Sequence, residues 1–91
     1  MKTEFARIIL SSDGRQVLFY VEPDCGDFTF HQVTNHNGFQ ADINIAFTSP
    51  DEAENERRAY AALDVVDQAV ADRVVDTVSD AMSKLMGEVA A

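Results

Sequence analysis

The chain is short of four things, and each shortage excludes a class of function. It has one cysteine, Cys25. No internal disulfide can form, and a small domain without one is expected in a reducing compartment, the cytoplasm. It has seven Lys and Arg against sixteen Asp and Glu, a formal charge of −9. Binding to nucleic acid needs cations that neutralise phosphates, and an anionic membrane surface repels a chain of this sign. Neither is expected as a direct partner. The four glycines fall in turns or beyond the last expected helix, so no glycine-rich loop cradles a phosphate. No apolar run approaches the roughly 20 residues that cross a bilayer. Met1, Lys2, Thr3 and Glu4 do not form a basic region leading into an apolar run, so no signal peptide is expected.

What is present fits one folded domain. The 91 residues, 46% of them apolar, make a single small core, because a chain of this size buries only about 60–65% of its unfolded surface. The first half, 1–48, reads as two hairpins. Phe5 to Leu10 and Gln16 to Glu22 flank the turn cluster Ser11-Ser12-Asp13-Gly14. Pro23-Asp24-Cys25-Gly26 is a second turn signal. A third strand runs from Asp27 to Thr34, with Phe28 and Phe30 on one face and Thr29 and His31 on the other. Asn37-Gly38 is the pair most favoured in a tight hairpin turn. In the fourth strand Phe39, Ala41, Ile43, Ile45 and Phe47 alternate with Gln40, Asp42, Asn44 and Ala46. This period of two gives one apolar face that needs a cover.

The second half, 49–87, supplies that cover as helix. Ser49 is read as the N-cap, Pro50 as the first helical residue and Glu52 as the partner in a capping box. Asp51 to Met86 contains no Gly and no Pro. An apolar stripe runs through Tyr60, Leu63, Val66, Val70, Val74, Val78, Ala81 and Leu85. Gly87 is the expected stop, and residues 88–91 a frayed tail. A single helix of this span is roughly 55 Å long, twice the roughly 27 Å of an eight-residue strand. Either the segment breaks near Leu63, with Asp64 capping a second helix, or another subunit covers the overhang. The fold class is therefore α+β: a four-stranded antiparallel meander under one long or two shorter C-terminal helices.

Reactive side chains are few. Cys25, His31 and His36 match no zinc spacing, and neither a metal nor a cofactor is expected. A Cys–His nucleophilic pair lacks any flanking signature, so no catalytic residue is assigned and the chain is not read as an enzyme. Phe28, Phe30, Phe39 and Phe47 alternate as core residues.

The acidic residues are organised. Asp64, Asp72, Asp76 and Asp80 fall at multiples of four, with Gln68 in the gap and Asp67 close by. Glu52, Glu54 and Glu56 precede them. Members four apart lie about 6 Å apart along a helix axis, comparable with the phosphate spacing along a nucleic-acid strand. Like charges at this spacing destabilise a helix by about 0.2–0.5 kcal/mol per pair. The column reads either as a solvated face or as a phosphate-like surface that occupies a cationic groove. Divalent-cation binding is a third reading.

In its size, its acidity and its carboxylates Glu52, Glu54, Glu56, Asp64, Asp67, Asp72, Asp76 and Asp80, the chain resembles small phage-encoded inhibitors of the anti-CRISPR type. The likeness is of type, without a shared motif. It implies a non-enzymatic inhibitor, acting in the host cytoplasm by nucleic-acid mimicry. Its partner would be the basic surface of a nucleic-acid-binding complex such as a CRISPR effector. The alternative is a small dimeric adaptor or chaperone-like protein that holds a partner chain, for which the helix overhang argues.

Overall fold

A computed structural model describes residues 6–90, with side chains to residue 87. Four strands come first: β1 (Ala6–Leu10), β2 (Gln16–Asp24), β3 (Asp27–His36) and β4 (Phe39–Phe47). Two helices follow, α1 (Glu52–Asp64) and α2 (Gln68–Ala90). The strands form one antiparallel sheet in the order β1-β2-β3-β4. The expected α+β meander with two C-terminal helices is the observed fold.

The turns set the register. Cys25 and Gly26 have φ of 51° and 91°, and Asn37 and Gly38 have φ of 48° and 86°. Two successive positive φ values make the two-residue turn whose twist matches the flanking strands. Asp24 then pairs with Asp27 and His36 with Phe39. The sequence ends β2 at Glu22, before the proline; the strand instead runs through Pro23 to Asp24. Among the described residues β1 stops opposite Tyr20, so a residue without an N–H is tolerated beyond that point. Strand β3 likewise reaches His36, two residues past its expected end. Phe5 lies outside the described residues.

One face of the sheet carries the core. Val17, Phe19 and Val21 of β2 and Phe30 of β3 pack against Ala59 and Leu63 of α1, Val66, and Ala71, Val74, Val75 and Val78 of α2. Phe19 stacks on Phe30 at 6.1 Å, and Phe28 meets the edge of Tyr60 at 6.4 Å. Helix α1 lies on β3, β2 and part of β4, while α2 crosses β3, β2 and β1. The edge strand β4 is only partly covered. Phe39, expected in the core, is 51% exposed, and Ile45 is 48% exposed. The apolar stripe holds as far as Val78. Beyond it Met82 continues the packed face, and Ala81 and Leu85 face solvent.

The helix boundaries differ from the expected ones. Asp51, not Ser49, caps α1: its side chain accepts from the Glu54 amide. Pro50 and Glu52 therefore do not fill the roles of first helical residue and capping-box partner. Ser49 is instead drawn to Asn55, a fully buried residue of α1. The Ser49 amide and hydroxyl donate to Asn55 Oδ1 at 2.9 and 2.8 Å, and Asn55 Nδ2 donates to the Ser49 and Gly26 carbonyls at 2.9 Å each. A buried amide satisfied four times holds the start of α1 to the β2–β3 turn.

The helical segment is broken, as one of the two readings required, but the cap is Asp67 and not Asp64. Val65 turns out of the helix with its amide on the Ala62 carbonyl. Asp67 Oδ1 then accepts from the Val70 amide at 3.0 Å, and α2 begins. Arg7, from the core face of β1, donates to the Leu63 and Asp64 carbonyls at 3.2 and 3.4 Å. It supplies the cation that the last turn of α1 lacks. Helix α2 does not stop at Gly87 but runs through 88–90; Ala91 lies outside the described residues. No described helix is long and apolar enough to cross a membrane.

Candidate functional site

The eight carboxylates singled out by the sequence do not form one column. Asp64 closes α1, and Asp67 is spent as the cap of α2. Asp72 reaches the β1–β2 turn, where it accepts from the Ser12 amide and hydroxyl at 2.6 Å each. That contact pins α2 to the sheet. Asp76 and Asp80 stand exposed on successive turns of α2. On α1, Glu54 pairs with Arg57 and Arg58. Hydrogen bonds from Arg57 and then Arg58 hold its carboxyl below the usual range. Glu52 and Glu56 stay exposed.

The fold brings in acids that the sequence reading left apart. Glu52 lies against Gly26, so close that a Cβ there would stand 2.6 Å from the Glu52 carboxyl carbon. The Asn55–Gly26 bond fixes this approach. Asp24 and Asp27 face each other across the same turn, and Asp51 caps the helix beside it. Asp24, Asp27, Asp51 and Glu52 thus share one end of the molecule. No Lys or Arg occurs between Arg15 and Arg57, so no cation from this stretch offsets them.

The reactive side chains are dispersed. Cys25 is exposed in its turn. His31 and His36 differ by an odd number of positions on β3 and point to opposite faces. His36 Nδ1 lies 2.8 Å from an Arg15 guanidinium nitrogen. Among the described residues no three His, Cys, Asp or Glu side chains are placed to hold a metal.

His31 has a defined environment that the sequence did not signal. It sits on the outer face of the sheet, 9% exposed, stacked on Tyr20 at 4.5 Å. Its Nδ1 lies 2.8 Å from Asp42 Oδ2 and its Nε2 2.9 Å from Glu22 Oε1. Only the imidazolium donates to both carboxylates at once. Burial favours the neutral ring, but the hydrogen bonds to Asp42 and Glu22 outweigh it, and the pKa is raised. Both ring nitrogens are occupied, so the ring has no lone pair to offer a substrate or a metal. Its role is to tie β2, β3 and β4 together. The clue was positional: Glu22 and Asp42 are diagonal cross-strand neighbours of His31 once the register is known.

No protein-family model matches the chain, and no curated protein or solved structure shows significant similarity to it.

Proposed function

We propose that the protein acts without catalysis, by placing its acidic surface in a basic nucleic-acid-binding groove of a partner complex. This is nucleic-acid mimicry of the anti-CRISPR kind. One observation carries the reading: Asp24, Asp27, Asp51 and Glu52 converge at one end of a chain of net charge −9. Exposed Asp76 and Asp80 form a second, smaller patch, with Arg73 and Lys84 as the cations of that helix. Charge of this sign speeds encounter with a cationic groove and repels nucleic acid from the occupied site.

The test is target-DNA binding by a CRISPR effector complex, at low and at high salt. Wild-type protein is expected to block DNA binding, less so as salt rises. Two double variants locate the contact: Asp24→Lys with Glu52→Lys, and Asp76→Lys with Asp80→Lys. Loss of inhibition in the first pair, with folding intact by circular dichroism, supports the reading. It fails if the wild type leaves DNA binding untouched, or if neither pair changes it.

A second reading, a small adaptor that holds a partner chain, has its own observation. A hollow of about 300 Å³ opens between the β3–β4 turn and the end of α2, lined by His36, Phe39, Met82 and Met86. Phe39 and Met86 are about half exposed there, and methionine-lined surfaces adapt to varied apolar partners. Met82→Glu would abolish partner capture on this reading and leave DNA blocking unaffected.

A further inference from the structure

Strand β4 is an edge of the sheet, and among the described residues it pairs on one side only, with β3. The two-residue turn Asn37-Gly38 makes His36 and Phe39 a hydrogen-bonded pair, and such pairs recur at every second position. Phe39, Ala41, Ile43, Ile45 and Phe47 therefore spend their backbone groups on β3. The N–H and C=O groups of Gln40, Asp42, Asn44 and Ala46 point away from the sheet, and all four residues are exposed. Soluble proteins guard an edge with lysine, proline, a bulge or a short strand. Strand β4 has none of these. It is nine residues long, without Lys or Pro, and its register with β3 advances without a bulge. Its one charged side chain, Asp42, is drawn toward β3 by His31 Nδ1 at 2.8 Å. An edge left open in this way is a template for another strand.

We propose that β4 pairs antiparallel with β4 of a second copy, about a two-fold axis at Ile43, joining the two sheets into one. The strand itself selects the occupant, because it reads nearly alike in both directions from Ile43. The isosteric Asp42 and Asn44 flank the centre, the apolar Ala41 and Ile45 follow, and Phe39 and Phe47 close the ends. An isologous contact requires this self-match, and a foreign strand does not. In this register Gln40 meets Ala46 and Asp42 meets Asn44 of the second copy, so every free backbone group of the edge finds a partner. No two carboxylates face each other. Shifting the axis to Asp42 sets two carboxylates face to face, and shifting it to Asn44 leaves Gln40 beyond the end of the partner strand. The same register accounts for the half-exposed Phe39 and Ile45 on the helix-bearing face. Phe39 stands opposite Phe47 and Ile45 opposite Ala41 of the second copy, at the non-hydrogen-bonded positions where side chains approach most closely.

Sedimentation equilibrium at micromolar concentration is the first test. The wild type is expected at twice the 10.0 kDa of one chain. Asn44→Pro removes an outward N–H, a change that an edge strand tolerates; it is expected at the mass of one chain with unchanged circular dichroism. Ile8→Glu, exposed on the opposite edge strand, is expected to remain a dimer. Ile43→Cys in a Cys25→Ser background reads the register and does not depend on the proline variant folding. Only an axis at residue 43 sets this position against itself, at a Cα separation of about 4.5 Å that a disulfide spans. A mild oxidant is expected to link it into a covalent dimer and to leave Asn44→Cys in the same background unlinked. A monomeric wild type would overturn the proposal and leave the edge to an extended segment of another protein. So would an Asn44→Pro protein that still dimerises, an Ile8→Glu protein that does not, or cross-linking at residue 44 in preference to 43.

Discussion

Replacing Asn55 tests whether the junction between sheet and helix is held as described. The residue is 1% exposed and makes four hydrogen bonds of 2.8 to 2.9 Å. Asn55→Ala removes all four and leaves the Ser49 and Gly26 carbonyls and the Ser49 amide without their protein partner. Water reaches Ser49, which is exposed, but reaches half-buried Gly26 less well. At about 0.5–1.5 kcal/mol net per bond, the loss is about 3 kcal/mol. For a domain of this size that corresponds to a fall in Tm of roughly 12–24 °C. Urea and thermal unfolding followed by circular dichroism measure it. Asn55→Asp is the sharper variant, because it keeps the shape and replaces the donating amide by an oxygen that faces two carbonyl oxygens. The carboxylate is disfavoured there, so its folded pKa rises above the unfolded value of about 3.9. The unfolded state gives up the proton first, and stability falls as pH rises from about 4 until the folded pKa is passed. Asn55→Asp is therefore expected to be less stable than Asn55→Ala at pH 7, with the gap closing in acid. A loss below about 1 kcal/mol for Asn55→Ala, or a pH-independent Asn55→Asp, would refute this account of the junction.

Two further substitutions probe the sheet and the helix break. The raised pKa of His31 means that its imidazolium contributes stability fully below about 6.5, the ordinary histidine value, and that this contribution is lost as pH rises through the higher folded value. The urea midpoint of the wild type should fall above pH 6.5, while His31→Gln, which keeps a polar side chain but cannot charge, should show a flatter profile over the same range. Asp67→Ala removes the bond to the Val70 amide and is expected to cost about 1 kcal/mol in urea unfolding; no measurable loss would mean that α2 begins without this cap.

The elements that were legible in the sequence are those whose signals are local. Strand β4 announced itself by strict alternation, and Asn37-Gly38 by a backbone preference that few other pairs share. Helix α1 was legible in kind but not in its first residue. Ser49, Pro50 and Glu52 make a plausible cap on paper, and Asp51 offers an equally good oxygen two residues further along. What decided between them was Asn55, which engages the amide, hydroxyl and carbonyl of Ser49 while also donating to Gly26, 29 residues away. The same holds for Asp64 and Asp67: either can cap, and the burial of Val66 fixes where the chain must turn. Phe39 was misread for a different reason. Alternation shows which face a residue is on, but not whether a helix covers that end of the edge strand: Ala41, Ile43 and Phe47 are packed against the core and Phe39 is not.

The break between the helices also changes where the charge counts. An unbroken helix would have presented Asp64, Asp72, Asp76 and Asp80 as a single row, and the row was the reason to think of a phosphate backbone. In the folded chain Asp64 belongs to another helix and Asp72 is committed to Ser12, so two members remain free to contact a partner along α2. Acidity instead gathers where the fold joins two stretches that sequence spacing kept apart: the start of α1, whose Glu52 the sequence had singled out, and the β2–β3 turn with Asp24 and Asp27, which it had not. Gly26 is what permits the convergence: without a side chain it lets Glu52 lie directly on the turn. The partial positive charge at the start of α1 lowers the cost of holding Asp51 and Glu52 together there. An acidic end whose members come from two separate elements is set by the fold itself, and any function that depends on it should be lost when the Asn55 junction loosens, before the domain as a whole unfolds.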